Sequence, residues 1–125
     1  MIEGLHHIAI LCSQKERAIS FYVDALGFSL GEAHIRPERG DEIIMLRGYD
    51  VILELFISSG NPARVTGPEA YGLRHLAFRV TEIDSMVKAL KEKGFSPEPI
   101  RRDSFTGEAM TFVKDPDGLP IELHE

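Results

Sequence analysis

Apolar positions along this chain come in short runs whose period changes between two values. From Leu5 to Cys12 the run is apolar with a strand's alternation, so residues 5–12 predict a strand. Ser13, with Glu16 three residues on, has the form of a capping box, and Ala18, Phe21, Tyr22 and Leu26 then recur at helical spacing. Gly27 is a candidate helix C-cap. A strand is predicted from Phe28 to Ile35, a turn over Pro37 to Gly40, and a hairpin over 42–47 and 51–57 joined through Gly48-Tyr49-Asp50. Residues 59–71 hold Pro and Gly without apolar periodicity and read as a linker. The order then repeats. Leu73 to Val80 is a strand, Thr81 and Asp84 cap a helix carrying Ile83, Met86, Val87 and Leu90, and Gly94 closes it. Three strands follow, near 97–101, 109–114 and 119–124, with Asp115-Pro116-Asp117-Gly118 as a tight turn.

Two modules, 1–58 and 72–125, therefore share one order: strand, helix, three strands. They also share residues at a fixed offset of 68 positions. Gly4-Leu5-His6-His7-Ile8-Ala9 matches Gly72-Leu73-Arg74-His75-Leu76-Ala77, and Leu53-Glu54-Leu55 matches Ile121-Glu122-Leu123. A lone half of this size buries too little surface to be secure alone, which favours one domain over 1–125 built from paired repeats.

At 125 residues, with 43% hydrophobic and 27% charged residues, the composition is that of an ordinary globular chain. The formal charge of −6 and the absence of a basic stripe argue against nucleic-acid binding. No apolar run approaches membrane-spanning length, and Met1-Ile2-Glu3-Gly4 lacks the features of a secretory signal. Cys12 stands alone, so no intrachain disulfide forms and a reducing cytoplasm is the expected location; a buried, inert thiol is its simplest reading.

The repeated histidine and glutamate carry the chemistry. Strand alternation puts His7 and His75 on equivalent faces of equivalent strands, and each glutamate opposite its apolar neighbours. Any one of these residues alone would be ordinary. All four kept in register, while His6/Arg74 and Phe56/His124 differ, make a ligand set for a divalent transition metal: His7, Glu54, His75 and Glu122. Alternation also points His6 away from His7, and His6, His34 and His124 are assigned to the surface or to a supporting shell. Asp115 and Asp117 are explained by their turn, without calcium.

At this point the chain resembles the vicinal oxygen chelate superfamily, which includes glyoxalase I, methylmalonyl-CoA epimerase, extradiol dioxygenases and fosfomycin-resistance proteins. The resemblance is carried by His6-His7-Ile8-Ala9-Ile10, Phe21-Tyr22 with Leu26-Gly27-Phe28, Gly72 to Phe78, and Asp115 to Leu123. It implies an α+β fold in which two βαβββ modules pair into an open, U-shaped mixed β-barrel around a metal site. The glyoxalase I pattern of His, Glu, His, Glu maps onto His7, Glu54, His75 and Glu122, whereas the epimerase pattern has glutamine where this chain has Glu54.

The resemblance further implies a glyoxalase I-like lyase or isomerase acting on the hemithioacetal of a 2-oxoaldehyde and a thiol, through an enediolate. Zn or Ni is the expected metal, with Mn, Co or Fe as substitutes. Glu122 is the first choice for the base and Glu54 its counterpart, with Leu5, Ala9, Leu53 and Phe56 expected to enclose a detached carboxylate. Arg36 and Arg101, in corresponding regions of the halves, are candidate substrate contacts. Glutathione-specific enzymes place a cation soon after the first histidine, where this chain has Ala9-Ile10-Leu11. A small-molecule substrate and a homodimer are expected. The alternatives are another metalloenzyme of the superfamily, an epimerase or dioxygenase, or a non-catalytic binding or resistance protein.

Overall fold

A computed structural model describes residues 1–125. The chain divides into two compact units, Met1–Pro62 and Ala63–Glu125. The first runs β1 (Ile8–Cys12), α1 (Lys15–Ile19), β2 (Ser29–Arg36), β3 (Asp41–Gly48) and β4 (Val51–Ile57). The second runs β5 (Leu76–Arg79), α2 (Ile83–Glu92), β6 (Arg101–Arg102), β7 (Ala109–Lys114) and β8 (Pro120–His124). Each unit holds one four-stranded mixed sheet, ordered β1-β4-β3-β2 and β5-β8-β7-β6. The fold is α+β with two βαβββ modules, in the element order that the periodicity predicts.

In both sheets the first strand lies parallel to the last and the other neighbours are antiparallel. Ile10, Cys12, Ile44, Leu46, Leu53 and Leu55 are buried on the strands of the first unit, with Ala18, Phe21, Tyr22 and Leu26 on its helix. In the second unit Ile83, Val87 and Leu90 are buried with Val113, Ile121 and Leu123. Burial alternates along β4 and β8, so Glu54 and Glu122 face away from the apolar core between their leucine and isoleucine neighbours.

The first helix departs from a regular α-helix. After α1 the chain continues as a π-helical stretch, Ser20–Ala25, and Leu26 N–H bonds to Phe21 O at 2.9 Å, five residues back. The wider turn lets Phe21 and Tyr22, adjacent in sequence, both be fully buried and meet edge to face at 4.9 Å. A 3.6-residue period carries no signal of this bulge. Gly27 follows at φ +86°, as its C-cap reading requires. Tyr49 and Asp50 turn the β3–β4 hairpin at φ 53° and 59°, as a two-residue primed turn demands. The Tyr49 hydroxyl donates to Leu26 O at 2.7 Å, tying hairpin tip to helix end.

Several expectations about ends are corrected. The helix caps fall at Gln14 and Glu82 rather than Ser13 and Thr81, and neither Gln14 nor Glu82 makes a side-chain cap bond. The open start of α2 is served from far along the chain, where Glu125 Oε1 accepts from Ile83 N–H at 3.1 Å. The first strands begin later than predicted, at Ile8 and Leu76. Strand pairing also fails over residues 97–100, because Pro97 and Pro99 have no N–H to give. Only Glu98 bonds across, to Phe112 O at 2.8 Å, with the Thr111 hydroxyl donating back to Glu98 O at 2.7 Å. The Asp115 turn is as expected: its Oδ1 accepts from Asp117 and Leu119 N–H, both at 2.9 Å.

Gly27 and Gly94 share a left-handed conformation but differ in surroundings. A Cβ on Gly27 would sit 2.5 Å from Tyr49 Oη, whereas one on Gly94 meets nothing within 4 Å. Gly94→Ala is expected to lower unfolding free energy by about 1 kcal/mol and Gly27→Ala by more, about 1–3 kcal/mol. In a Tyr49→Phe background the Gly27→Ala penalty should shrink. Chemical denaturation of the four Gly27/Tyr49 variants checks this, and strictly additive effects would contradict it.

Candidate metal centre

One piece of backbone geometry occurs in both units. Ala9 pairs with Glu54 across the parallel β1–β4 ladder, and Ala77 pairs with Glu122 across β5–β8. The histidine two residues earlier, one residue ahead of its strand, lies beside the glutamate in each case. His7 Nε2 is 3.4 Å from Glu54 Oε2, and His75 Nε2 is 2.9 Å from Glu122 Oε2. The second pair is more enclosed, its side chains 30% and 13% exposed against 38% and 21% in the first. The structure thus brings His7 to Glu54 and His75 to Glu122, as two pairs of the same build.

The spacing of these atoms suits a shared ion. Ligand atoms roughly 2.0–2.2 Å from one ion lie about 2.9–3.5 Å from one another in tetrahedral or octahedral arrangements. Both N···O separations fall in that range, and in both pairs the ring atom offered is Nε2. Histidine nitrogen and carboxylate oxygen are the donors that Zn²⁺, Ni²⁺ and their neighbours accept. The residues present therefore fit a divalent transition metal.

The surroundings of the pairs differ from expectation in three ways. His6 does not turn away from His7, because residues 6 and 7 precede the strand and alternation does not bind them. Their Nδ1 atoms are 2.8 Å apart with rings edge to face, so His6 supports the far side of the His7 ring. Second, the expected apolar enclosure is mostly absent: Leu5 is 72% exposed, Ala9 is exposed, and Leu53 is fully buried on the opposite face of β4. Third, His124, two residues beyond Glu122 and on the same face of β8, joins Asp103. Asp103, Glu122 and His124 each bring a ligand-type atom within 4.8 Å of the others. Strand alternation from Glu122 gives His124; nothing in the sequence gives Asp103.

This side cluster is largely self-satisfied. Asp103 Oδ1 accepts from Phe105 N–H (2.7 Å) and Thr106 N–H (3.0 Å), while Oδ2 lies 3.3 Å from His124 Nε2. His124 Nδ1 lies 2.8 Å from Glu125 O. The Thr106 and Phe105 N–H groups, then His124, hold the Asp103 carboxyl below its usual range. The Glu125 carbonyl first, then Asp103 and Glu122, raise the His124 imidazole above its ordinary value of 6.5.

Arg36 and Arg101 occupy corresponding strands, β2 and β6, and each lies over a phenylalanine. Arg36 is 5.3 Å from the Phe56 ring centre and Arg101 5.6 Å from that of Phe112. Phe112 pairs with Glu122 across β7–β8 and meets the His75 ring edge to face at 5.1 Å, which links Arg101 to the second pair. Arg36 is held in a bidentate ion pair with Asp41 at 2.7 and 2.6 Å, which raises its own affinity for protons and lowers that of Asp41. Arg101 has a looser companion, Glu98 at 3.7 Å.

Comparisons with known proteins place the fold in a family. Residues 4–123 match the family model of the Glyoxalase/Bleomycin resistance protein/Dioxygenase superfamily, and the chain belongs to that superfamily. It is 46% identical to an uncharacterized protein, YwkD, of Bacillus subtilis (strain 168), over 100% of this chain and 98% of that one. The crystal structure of a glyoxalase family protein from Enterococcus faecalis superposes with a TM-score of 0.92 at 48% identity, covering 98% of each chain. More distant relatives are a mouse mitochondrial methylmalonyl-CoA epimerase (29% identical, 97% of this chain, 72% of that one) and a probable lactoylglutathione lyase of Synechocystis (28%, 95% and 92%). Members of this superfamily act on small molecules and often bind divalent metals. No helix is long and apolar enough to cross a membrane.

The Asp103–His124 contact sets a pH window. The raised His124 contributes stability that is complete below 6.5 and is lost as pH rises through its folded value; the depressed Asp103 contributes above 3.8, lost as pH falls through its own. Asp103→Asn should move the His124 titration down toward 6.5 without reaching it, because the Glu125 carbonyl stays. Imidazole NMR titration checks this, and an unmoved His124 would contradict the contact.

Proposed function

We propose that the two His–Glu pairs hold one divalent metal, and that the protein is a glyoxalase I-like isomerase acting on a 2-oxoaldehyde–thiol hemithioacetal. The observation that carries this reading is the repeated pair: Nε2 facing a carboxylate at ion-sharing distance, built by the same parallel register in both units. Glu54 as a second carboxylate favours the glyoxalase pattern over that of the epimerases. The named relatives include both activities, so epimerisation of a 2-substituted malonyl thioester is the second reading.

Bound there, the metal would supply Lewis-acid stabilisation to two vicinal substrate oxygens. His7 and His75 are its neutral ligands, oriented by His6 on one side and by Phe112 on the other. Glu122 is the base: it takes the proton from the hemithioacetal carbon and returns it to the neighbouring carbonyl carbon, while the hydroxyl proton passes from the first oxygen to the second, so a hydroxyketone leaves as a hydroxy thioester with no net change in atoms. Its 13% exposure keeps competing water from that proton. Glu54, beside Phe56 and the Asp41-paired Arg36, serves chiefly as ligand. Arg101 is the substrate-facing cation, since Arg36 is already matched by Asp41. Along β1, Ala9 and Leu11 are exposed and uncharged, which removes a cation from the place where a glutathione carboxylate would need one.

Metal analysis of the purified protein should find one divalent ion per chain, and His75→Ala should lose it. Glu122→Gln should keep the ion and lower kcat by about 10²- to 10⁴-fold, with a smaller effect for Glu54→Gln. Turnover of methylglyoxal with a panel of thiols should show a high KM for the glutathione adduct, weakened about 5- to 150-fold by the missing ion pair. Full activity in both glutamine variants would sink the base assignment. Turnover of methylmalonyl-CoA without that of any hemithioacetal would select the second reading.

A further inference from the structure

The segment that delivers His75 to its strand is held by a residue the reaction chemistry does not use. Arg64 reaches from the start of the second unit to the backbone just ahead of the histidine: its Nη2 donates to Leu73 O at 2.8 Å and to Arg74 O at 3.0 Å. The Arg74 carbonyl belongs to the peptide plane that ends in the His75 nitrogen. Fixing that plane fixes the position of the His75 Cα, from which the side chain leaves the backbone. The same guanidinium carries a buried Nε with no hydrogen-bond partner. Such a donor is costly to bury, and the hold on two consecutive carbonyls is what offsets it.

A second brace acts on Arg74 alone. The Arg74 side chain bonds both oxygens of Glu69 through Nε, at 2.7 and 3.1 Å, and Glu69 is anchored to Thr66 by a backbone bridge. The stretch from Arg64 to Glu69 therefore holds the carbonyls of residues 73 and 74 and the side chain of Arg74. The first unit has a different arrangement. His7 has the ring of the exposed His6 against it, and its Nε2 stands 3.4 Å from Glu54, against 2.9 Å for the braced His75 and Glu122.

We propose that Arg64 is a positioning residue for His75, presetting the imidazole for the metal; this rests on the metal reading above. An arginine suits the task because the two N–H groups of its Nη2 have fixed directions in the guanidinium plane and serve two neighbouring carbonyls, where a lysine ammonium turns freely.

Co²⁺ serves as the probe, followed by its visible absorption in the wild type, Arg64→Ala, Arg64→Lys and His75→Ala. Arg64→Ala is expected to weaken Co²⁺ affinity about 10- to 100-fold, as loss of an outer partner of a ligand does, and to alter the band shape. Arg64→Lys should recover only part of the affinity. A folded Arg64→Ala with wild-type affinity and spectrum, even with a lowered melting temperature, would overturn the assignment and leave Arg64 a structural residue only. If Arg64→Ala does not fold, wild-type Co²⁺ binding by Arg64→Lys overturns it in the same way. Equal Co²⁺ binding by wild type and His75→Ala would instead overturn the metal reading beneath it.

Discussion

Parallel pairing of the first and last strands of each unit is the constraint on which the rest depends. Because β1 lies along β4 with Ala9 opposite Glu54, a histidine two residues upstream arrives beside that carboxylate. Because β5 lies along β8 with Ala77 opposite Glu122, the second histidine does the same. A slip of one residue in either ladder would turn the glutamate into the apolar core and bring a leucine or isoleucine out. Leu53, Leu55, Ile121 and Leu123 are all buried to within about a hundredth of their surface, so hydrophobic burial enforces the register that the polar chemistry needs. Core and site are fixed by the same alternation.

Periodicity and the 68-residue offset were enough to read the element order and the two His–Glu pairs, since both depend on local spacing. Sequence-distant interactions were beyond their reach. Helix α2 is capped by Glu125, 42 residues away, and the His124 neighbourhood depends on Asp103, placed by its own loop. His6 escapes strand alternation for a different reason: β1 pairing begins only at Ile8, two residues later. Pro97 and Pro99 gave a warning against a long β6 that the apolar pattern alone does not express.

Duplication left two pairs of one design in unlike surroundings. Glu54 is followed on its face by Phe56 under an ion-paired Arg36; Glu122 is followed by His124 with Asp103. Along its own strand, one carboxylate is followed by an aromatic ring and the other by a polar, hydrogen-bonded side chain. Identical side chains can thus be given different duties without any change in the side chains themselves.

Both histidines stand one residue outside the first paired position of a strand at the end of its sheet. Amides at such positions exchange with solvent through local fraying, at far lower free energy than global opening. The His7 imidazole, with no brace like that on Leu73 and Arg74, can accordingly swing away and return while its sheet stays intact. On the metal reading proposed above, an ion would be released by the peeling of that one strand tip rather than by unfolding of the protein.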